Sequence, residues 1–215
     1  MLKISDLTFG YRSRRLFEKI SVELRPGELV HIAGPNGAGK STFMSIIAGI
    51  LAPQSGSIDF FSGPNSPSPV EDRRIFLEYL PAEANGMYTK MSAVQNLNFW
   101  SSLRGRDVSD HSHIEALETW GLNHPVIKDQ LPIDKFSTGM KRRLALARLQ
   151  LSGVPCWLLD EPIYGLDTKG LQAFHNILNS HLKSQGMCLI VSHDLKPLEG
   201  LVTRTLDLAT GGISE

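Results

Sequence analysis

An excess of charge of either sign is missing from this 215-residue chain: Lys+Arg and Asp+Glu both number 22, so the net charge is zero. No global field therefore favours nucleic acid or anionic lipid, and partners have to be argued locally. Long apolar runs are missing too. No stretch approaches the roughly 18 apolar residues of a membrane span, and the opening MLKISDLTFGY lacks the apolar centre of a secretory leader. A soluble, intracellular chain is the expectation. Cysteine is scarce. Cys156 and Cys188 each fall in a strand-like apolar run, CWLLD and CLIVS, which favours reduced, buried thiols over a disulfide or a metal site. There is no internal repeat, no heptad series and no long disordered linker. What is left, 41% hydrophobic and 20% charged, is an ordinary globular composition with enough apolar residues for one sizeable core.

Residues 34–41, GPNGAGKS, organise the rest. They read G-x-x-x-x-G-K-S and lie between the apolar run Leu29-Val30-His31-Ile32-Ala33 and the helically spaced Phe43, Met44, Ile46 and Ile47. A strand leads in and a helix leads out. Glycines at 34, 37 and 39 let successive backbone N–H groups turn inward on an anion, and the helix adds its positive end. Lys40 can then reach the β- and γ-phosphates of a nucleotide and the Ser41 hydroxyl can ligate Mg²⁺. The nucleotide-binding set is Gly34, Pro35, Asn36, Gly37, Ala38, Gly39, Lys40, Ser41 and the adjoining Thr42.

Around this loop the pattern is α/β. Residues 2–9 and 17–24 place apolar side chains at near-alternating positions and read as two antiparallel strands, joined across residues 10–15. Tyr11 lies in that connection, either as a stacking surface for a nucleotide base or as an ordinary turn-flanking tyrosine. The first helix should close at Gly49 and Pro53. Residues 57–61 and 74–79 read as strands, and SGPNSPSP at 62–69 as a surface loop. Roughly residues 84–150 have helical spacing and form an expected helical subdomain inserted between core segments 1–83 and 151–215. Its last helix opens near Ser137 and carries Met140, Leu144, Ala147 and Leu151. Strands then return at 156–160, 188–192 and 203–208, with a helix marked by Leu171, Phe174, Leu178 and Leu182.

Asp160 and Glu161 end the buried run WLLDE. Two acids at the exposed end of a buried strand, downstream of a phosphate loop, suit metal and water: Asp160 can hold Mg²⁺ through water opposite Ser41, and Glu161 can take a proton from the water that attacks the γ-phosphate. His193 ends the next buried strand, LIVSH, and should emerge at the same sheet edge as a second catalytic group. Other clusters read as less specific. Lys141-Arg142-Arg143 and Arg12, Arg14 and Arg15 suit solvated or nucleotide-facing charge more than a nucleic-acid patch, and His111 and His113 suit exposed loop positions with no third ligand.

In this order the motifs resemble those of the ATP-binding-cassette (ABC) ATPases, over nearly the whole chain. GPNGAGKS is similar to their Walker A, CWLLDE to Walker B, FSTGMKRRLALARL to the signature helix, Gly165-Leu166-Asp167 to the D-loop and His193 to the switch histidine. The resemblance implies a P-loop NTPase of ABC type, with a mixed sheet core, an antiparallel β subdomain and a helical subdomain. It implies ATP and Mg²⁺, and a nucleotide sandwiched between the phosphate loop of one subunit and Ser137 and Gly139 of another, in a homodimer or a pair with another ABC ATPase. It further implies a subunit peripheral on the cytoplasmic face of the inner (plasma) membrane that powers a separate transmembrane permease. Two departures stand out. The signature is FSTGM where the family commonly has L-S-G-G-Q, and no glutamine occurs between Tyr79 and Tyr88, where Glu83 is the nearest polar substitute and a third candidate metal ligand. Within the family, RRLALARLQLSGVPCWLLDEPIYGLD looks similar to the haem-exporter ATPase of cytochrome c maturation, and FSTGMKRRL also to drug- and polysaccharide-exporter ATPases. A low-turnover nucleotide-binding regulator is the alternative that the departures permit. Ribosome-associated relatives join two cassettes and DNA-repair relatives insert long coiled coils; this sequence has neither.

Overall fold

The computed structural model describes residues 1–12, 14–61, 72–83 and 86–214. The stretch 62–69, expected as a surface loop, lies outside the described residues. Two compact units emerge: Met1–Tyr79 with Val154–Glu161 and Asn179–Glu215, and Leu80–Gly153 with Pro162–Leu178.

The first unit holds two sheets. Strands β1 (Leu2–Tyr11), β2 (Arg14–Leu24) and β4 (Ser55–Phe60) form an antiparallel sheet in the order β2-β1-β4. The alternating residues foreseen for them, Leu2, Ile4 and Leu7 on β1 and Phe17, Ile20, Val22 and Leu24 on β2, are all buried. The second sheet runs β5 (Leu77–Leu80), β6 (Cys156–Asp160), β7 (Met187–Val191), β3 (Leu29–Ala33), β8 (Arg204–Asp207), β9 (Ile213–Ser214). Its centre is parallel: β3 pairs with β7 and with β8, and β6 with β7. Continuous apolar runs on β3, β6 and β7 are the expected signature of strands covered on both faces. Helix α1 (Lys40–Ile47) buries Phe43, Met44, Ile46 and Ile47 in one core with both sheets. Both cysteines are free and fully buried, which pushes the Cys156 thiol up to about 12 and Cys188 upward as well.

The strand expected at 74–79 starts only at Leu77, after a single 3₁₀ turn at Arg73–Ile75. Arg73 explains the delay. Its Nη1 donates to the carbonyls of Ile46 and Ile47, each at 3.4 Å, satisfying two last-turn acceptors of α1 while the guanidinium lies 5.6 Å from the Phe60 ring centre.

The second unit contains α2 (Ala93–Leu103), α3 (Asp110–Thr119), α4 (Thr138–Leu151) and the start of α5 (Thr168–Lys183), which continues into the first unit. Each of α2, α3 and α4 opens on a serine cap: Ser92, Ser109 and Ser137 accept from the backbone N–H three residues on, and Ser92 and Gln95 form a reciprocal capping box. Residues 162–178, read from the sequence as core, belong to this unit instead.

Two sequence expectations fail here. His111 and His113 are not loop residues. Both lie on α3, where the Ser109 cap starts a helix; His113 is 1% exposed and 3.2 Å from Ser101 Oγ, and burial lowers its pKa. His111 is exposed and 3.2 Å from Glu115 one turn on. Nor is Lys141-Arg142-Arg143 a solvated run. Arg142 is buried and donates to the carbonyls of Pro81 (3.2 Å) and Ala82, while Arg148, farther along α4, donates to Gly86 at 3.2 Å and lies 4.6 Å from the Trp100 ring centre. Among the described residues beyond β5, the carbonyls of Pro81, Ala82 and Gly86 take donors from arginines of α4.

Candidate active site

The strand β3 ends at Ala33 and α1 begins at Lys40, so the phosphate loop bridges the two. Gly39 caps the helix with φ 96°, a conformation that L side chains rarely adopt, and a Cβ there would lie 3.1 Å from Leu16. Gly37, at φ 80°, is the other left-handed turn position of the loop's middle. No side chain caps α1 and no acid lies in its first turn. Its free N–H groups and positive end therefore suit a phosphate. Lys40 Nζ donates to the carbonyls of Gly34 (2.8 Å) and Pro35 (3.2 Å), which hold the ammonium over the loop's own mouth. A turn bond from Ala38 N–H to Pro35 O (3.1 Å) keeps the loop curled, with Pro35, Asn36 and Gly37 exposed. Ser41 is exposed and Thr42 half-buried at the start of α1. One contact was not legible in the sequence: Arg14, opposite Tyr11 in the β1–β2 pairing, donates from Nη2 to Gly37 O at 3.2 Å. Tyr11 itself is 52% exposed and meets Phe9 edge-on at 5.0 Å, so its outer face is open.

Asp160 closes β6 and is 2% exposed. Glu161 follows in the left-handed region at φ 49°, and its N–H continues the ladder to Val191 O at 2.9 Å. Its Oε2 accepts from the backbone N–H of His193 at 3.3 Å, and Oε1 lies 3.5 Å from His193 Nε2, beyond ordinary hydrogen-bond length, so that buried oxygen accepts no bond. The pairing Asp160↔Val191 sets β6 and β7 level, which is why the residues after both strands meet. The sheet thus brings Glu161 and His193 together, as strand ends of adjacent parallel strands should.

Ser41 and Asp160 supply one hydroxyl and one carboxylate, hard oxygen donors that fit Mg²⁺ if phosphate and water complete the shell. Among the described residues no group of three or more His, Cys, Asp or Glu is gathered as a metal cage. Glu83 is exposed and belongs to the second unit. So do Ser137 and Gly139. Ser137 Oγ accepts from Met140 N–H at 3.2 Å, and a Cβ at Gly139 would lie 3.6 Å from Gly165 O. Arg143, one turn further, pairs with Asp167 Oδ2 at 2.8 Å, whose Oδ1 accepts from Gly170 N–H at 2.9 Å. The Gly170 bond and then Arg143 hold the Asp167 carboxyl below its usual range. Signature helix and D-loop are braced within one unit.

The family model for ABC transporters matches residues 17–164. The chain belongs to the ABC transporter family and is an ATP-hydrolysing cassette. Among its relatives, the cytochrome c biogenesis ATP-binding export protein CcmA of Xylella fastidiosa (strain 9a5c) is 34% identical over 209 residues, 97% of this chain and 90% of that one. The protein of the same name from Brucella abortus (strain 2308) is 31% identical over 222 residues, 100% of this chain and 98% of that one. A solved ATP-binding subunit of an ABC transporter superposes with TM-score 0.84 at 25% identity, covering 100% of this chain and 89% of its own. A bacterial ABC transporter cassette solved as a dimer superposes with TM-score 0.80 at 20% identity, covering 100% and 97%, which speaks to the fold. No helix among the described residues is long and apolar enough to cross a membrane.

Proposed function

We propose that this cassette works as a pair, as a homodimer or with another ABC ATPase, on the cytoplasmic face of the membrane, and powers a transmembrane permease that exports haem or a related group for cytochrome c biogenesis. The single observation behind the substrate reading is that export proteins of that name from two bacteria match at least 97% of this chain. Lys40 exchanges the carbonyls of Gly34 and Pro35 for β- and γ-phosphate oxygens when ATP enters. Tyr11 offers its open face to the base. Ser41 and Asp160 would hold Mg²⁺, which when bound offsets phosphate charge. Glu161 takes the proton of the attacking water as oxygen bonds to the γ-phosphorus and the bond to the β–γ bridging oxygen breaks, releasing ADP and phosphate. His193, beside Glu161, holds the γ-phosphate and orients that water. Ser137 and Gly139 of the other subunit close the site with the N-terminus of α4.

Deleting the gene and scoring haem-stained c-type cytochromes tests the substrate reading. They should disappear and return with the wild-type gene but not with Lys40→Ala. Normal cytochromes in the deletion strain would point to a drug or polysaccharide exporter instead.

A further inference from the structure

His31 sits mid-strand on β3, 8% exposed, where Leu29, Val30 and Ile32 around it are fully buried aliphatics. An imidazole in such a position is costly unless it is hydrogen-bonded. Its Nε2 lies 3.2 Å from the carbonyl oxygen of Ser192, which can only accept, so Nε2 carries the proton and Nδ1 is left as the bare buried nitrogen. Burial keeps the ring neutral, and the nearby charges of Lys40 and His193 act in the same direction.

The place of this bond in the sheet gives it a purpose. The β3–β7 pairing runs Leu29↔Cys188, Val30↔Leu189, His31↔Ile190 and stops there, while β3 itself goes on beside β8 as far as Ala33. On the other side of β7 the backbone continues one step longer: Asp160 pairs with Val191 and Glu161 N–H reaches Val191 O. Successive carbonyls of a strand point to opposite neighbours, so Ser192 O faces the β3 side, past the last β3–β7 pair. The His31 side chain takes that carbonyl in place of the missing backbone donor. Ser192 Oγ meanwhile donates to Asp194 O at 2.9 Å, which sets the turn that carries His193.

We propose that His31 is a positioning residue for hydrolysis: by holding the Ser192 carbonyl it fixes the direction in which the chain leaves β7, and with it the place of His193 against Glu161. This rests on the reading of Glu161 and His193 as the hydrolytic pair. The bond joins the strand that delivers the phosphate loop to the turn that carries the switch histidine, 161 residues apart in sequence. Misplacement of a group by about 1 Å costs up to 10²-fold in rate, so the effect belongs in turnover, with nucleotide affinity kept by the loop.

The test compares full-length wild type with His31→Gln, His31→Asn, His31→Leu and His193→Ala, reading kcat and KM for ATP hydrolysis, affinity for a fluorescent ATP analogue and the melting temperature. Gln places its amide nitrogen near the Nε2 position and should retain most of kcat. Asn is too short to reach Ser192 and should lose about tenfold or more in kcat with analogue affinity within about twofold. Leu, with no donor, should behave like Asn; if it does not fold, the polar Gln and Asn pair decides. Combining His31→Asn with His193→Ala should add nothing to His193→Ala alone. Equal turnover in Gln and Asn variants overturns the proposal, as does a loss that appears equally in analogue affinity. Should His193→Ala keep wild-type turnover, the hydrolytic role of His193 falls, a result that the His31 variants alone cannot produce.

Discussion

Glu161 is held in a backbone conformation that costs a non-glycine residue about 1 kcal/mol, and it leaves a buried carboxylate oxygen without a hydrogen bond. A residue chosen for stability would be glycine. If the carboxylate is the base proposed above, the prediction follows at the same atom: Glu161→Gln retains size and hydrogen bonding but loses the base, so hydrolysis should slow by roughly 10²-fold or more while ATP still binds. Single-turnover release of phosphate measures it, and wild-type turnover would remove Glu161 from the chemistry. Lys40 gives the complementary case. It is the loop's own cation, so Lys40→Ala should weaken ATP binding by roughly 100-fold, read by equilibrium titration. Both residues could be singled out in the sequence, Lys40 by the spacing of its loop and Glu161 only because a phosphate loop lies upstream of it. His31 was not, since a lone histidine in an apolar run looks like any core residue until its partner, far along the chain, is seen.

Elements make the same contrast. The strand, loop and helix around residues 34–41 could be read because glycines, lysine and two apolar runs agree at every level. Residues 141–143 misled because a basic run ordinarily faces solvent, and nothing in the sequence says that the carbonyls of Pro81 and Ala82 take their donors from Arg142. The end of α5 holds a half-buried histidine. His181 stacks on Trp157 of β6 with ring centres 3.7 Å apart and planes 5° apart, and its Nε2 lies 3.3 Å from Met187 O on β7. Burial lowers its pKa from 6.5 to about 4. Between those values the unfolded chain binds a proton that the folded chain refuses, so acidification from pH 6.5 to about 4 should remove stability, by at most about 3 kcal/mol. Melting temperature against pH should show this slope in wild type, and His181→Phe, which keeps an aromatic surface but cannot titrate, should flatten it. An unchanged slope in that variant would assign the acid sensitivity elsewhere.

For the whole molecule, the sharpest expectation is association. With hydrolysis blocked by Glu161→Gln and both the phosphate loop and Ser137–Gly139 intact, two chains should stay closed around ATP, so the variant should elute as an ATP-dependent dimer where wild type is mostly monomeric. Its absence would implicate the altered signature, Phe136 to Met140, and favour a regulator of low turnover. The two-unit plan was only partly legible: a helical insertion showed in the spacing of residues 84–150, whereas 162–178 carries the same apolar helical pattern as any core helix and gave no sign of which unit it joins. That return has a consequence for how such a protein can be taken apart or recombined. The chain changes unit four times, after Tyr79, Gly153, Glu161 and Leu178, and α5 is itself divided. Neither unit is one uninterrupted length of polypeptide, so no single cut in the gene yields either, and the helical unit cannot be exchanged as one piece with two joints. One of the joints would fall on the peptide bond after Glu161. Altering one unit without disturbing the other therefore favours substitution in place, residue by residue, over the shuffling of whole pieces.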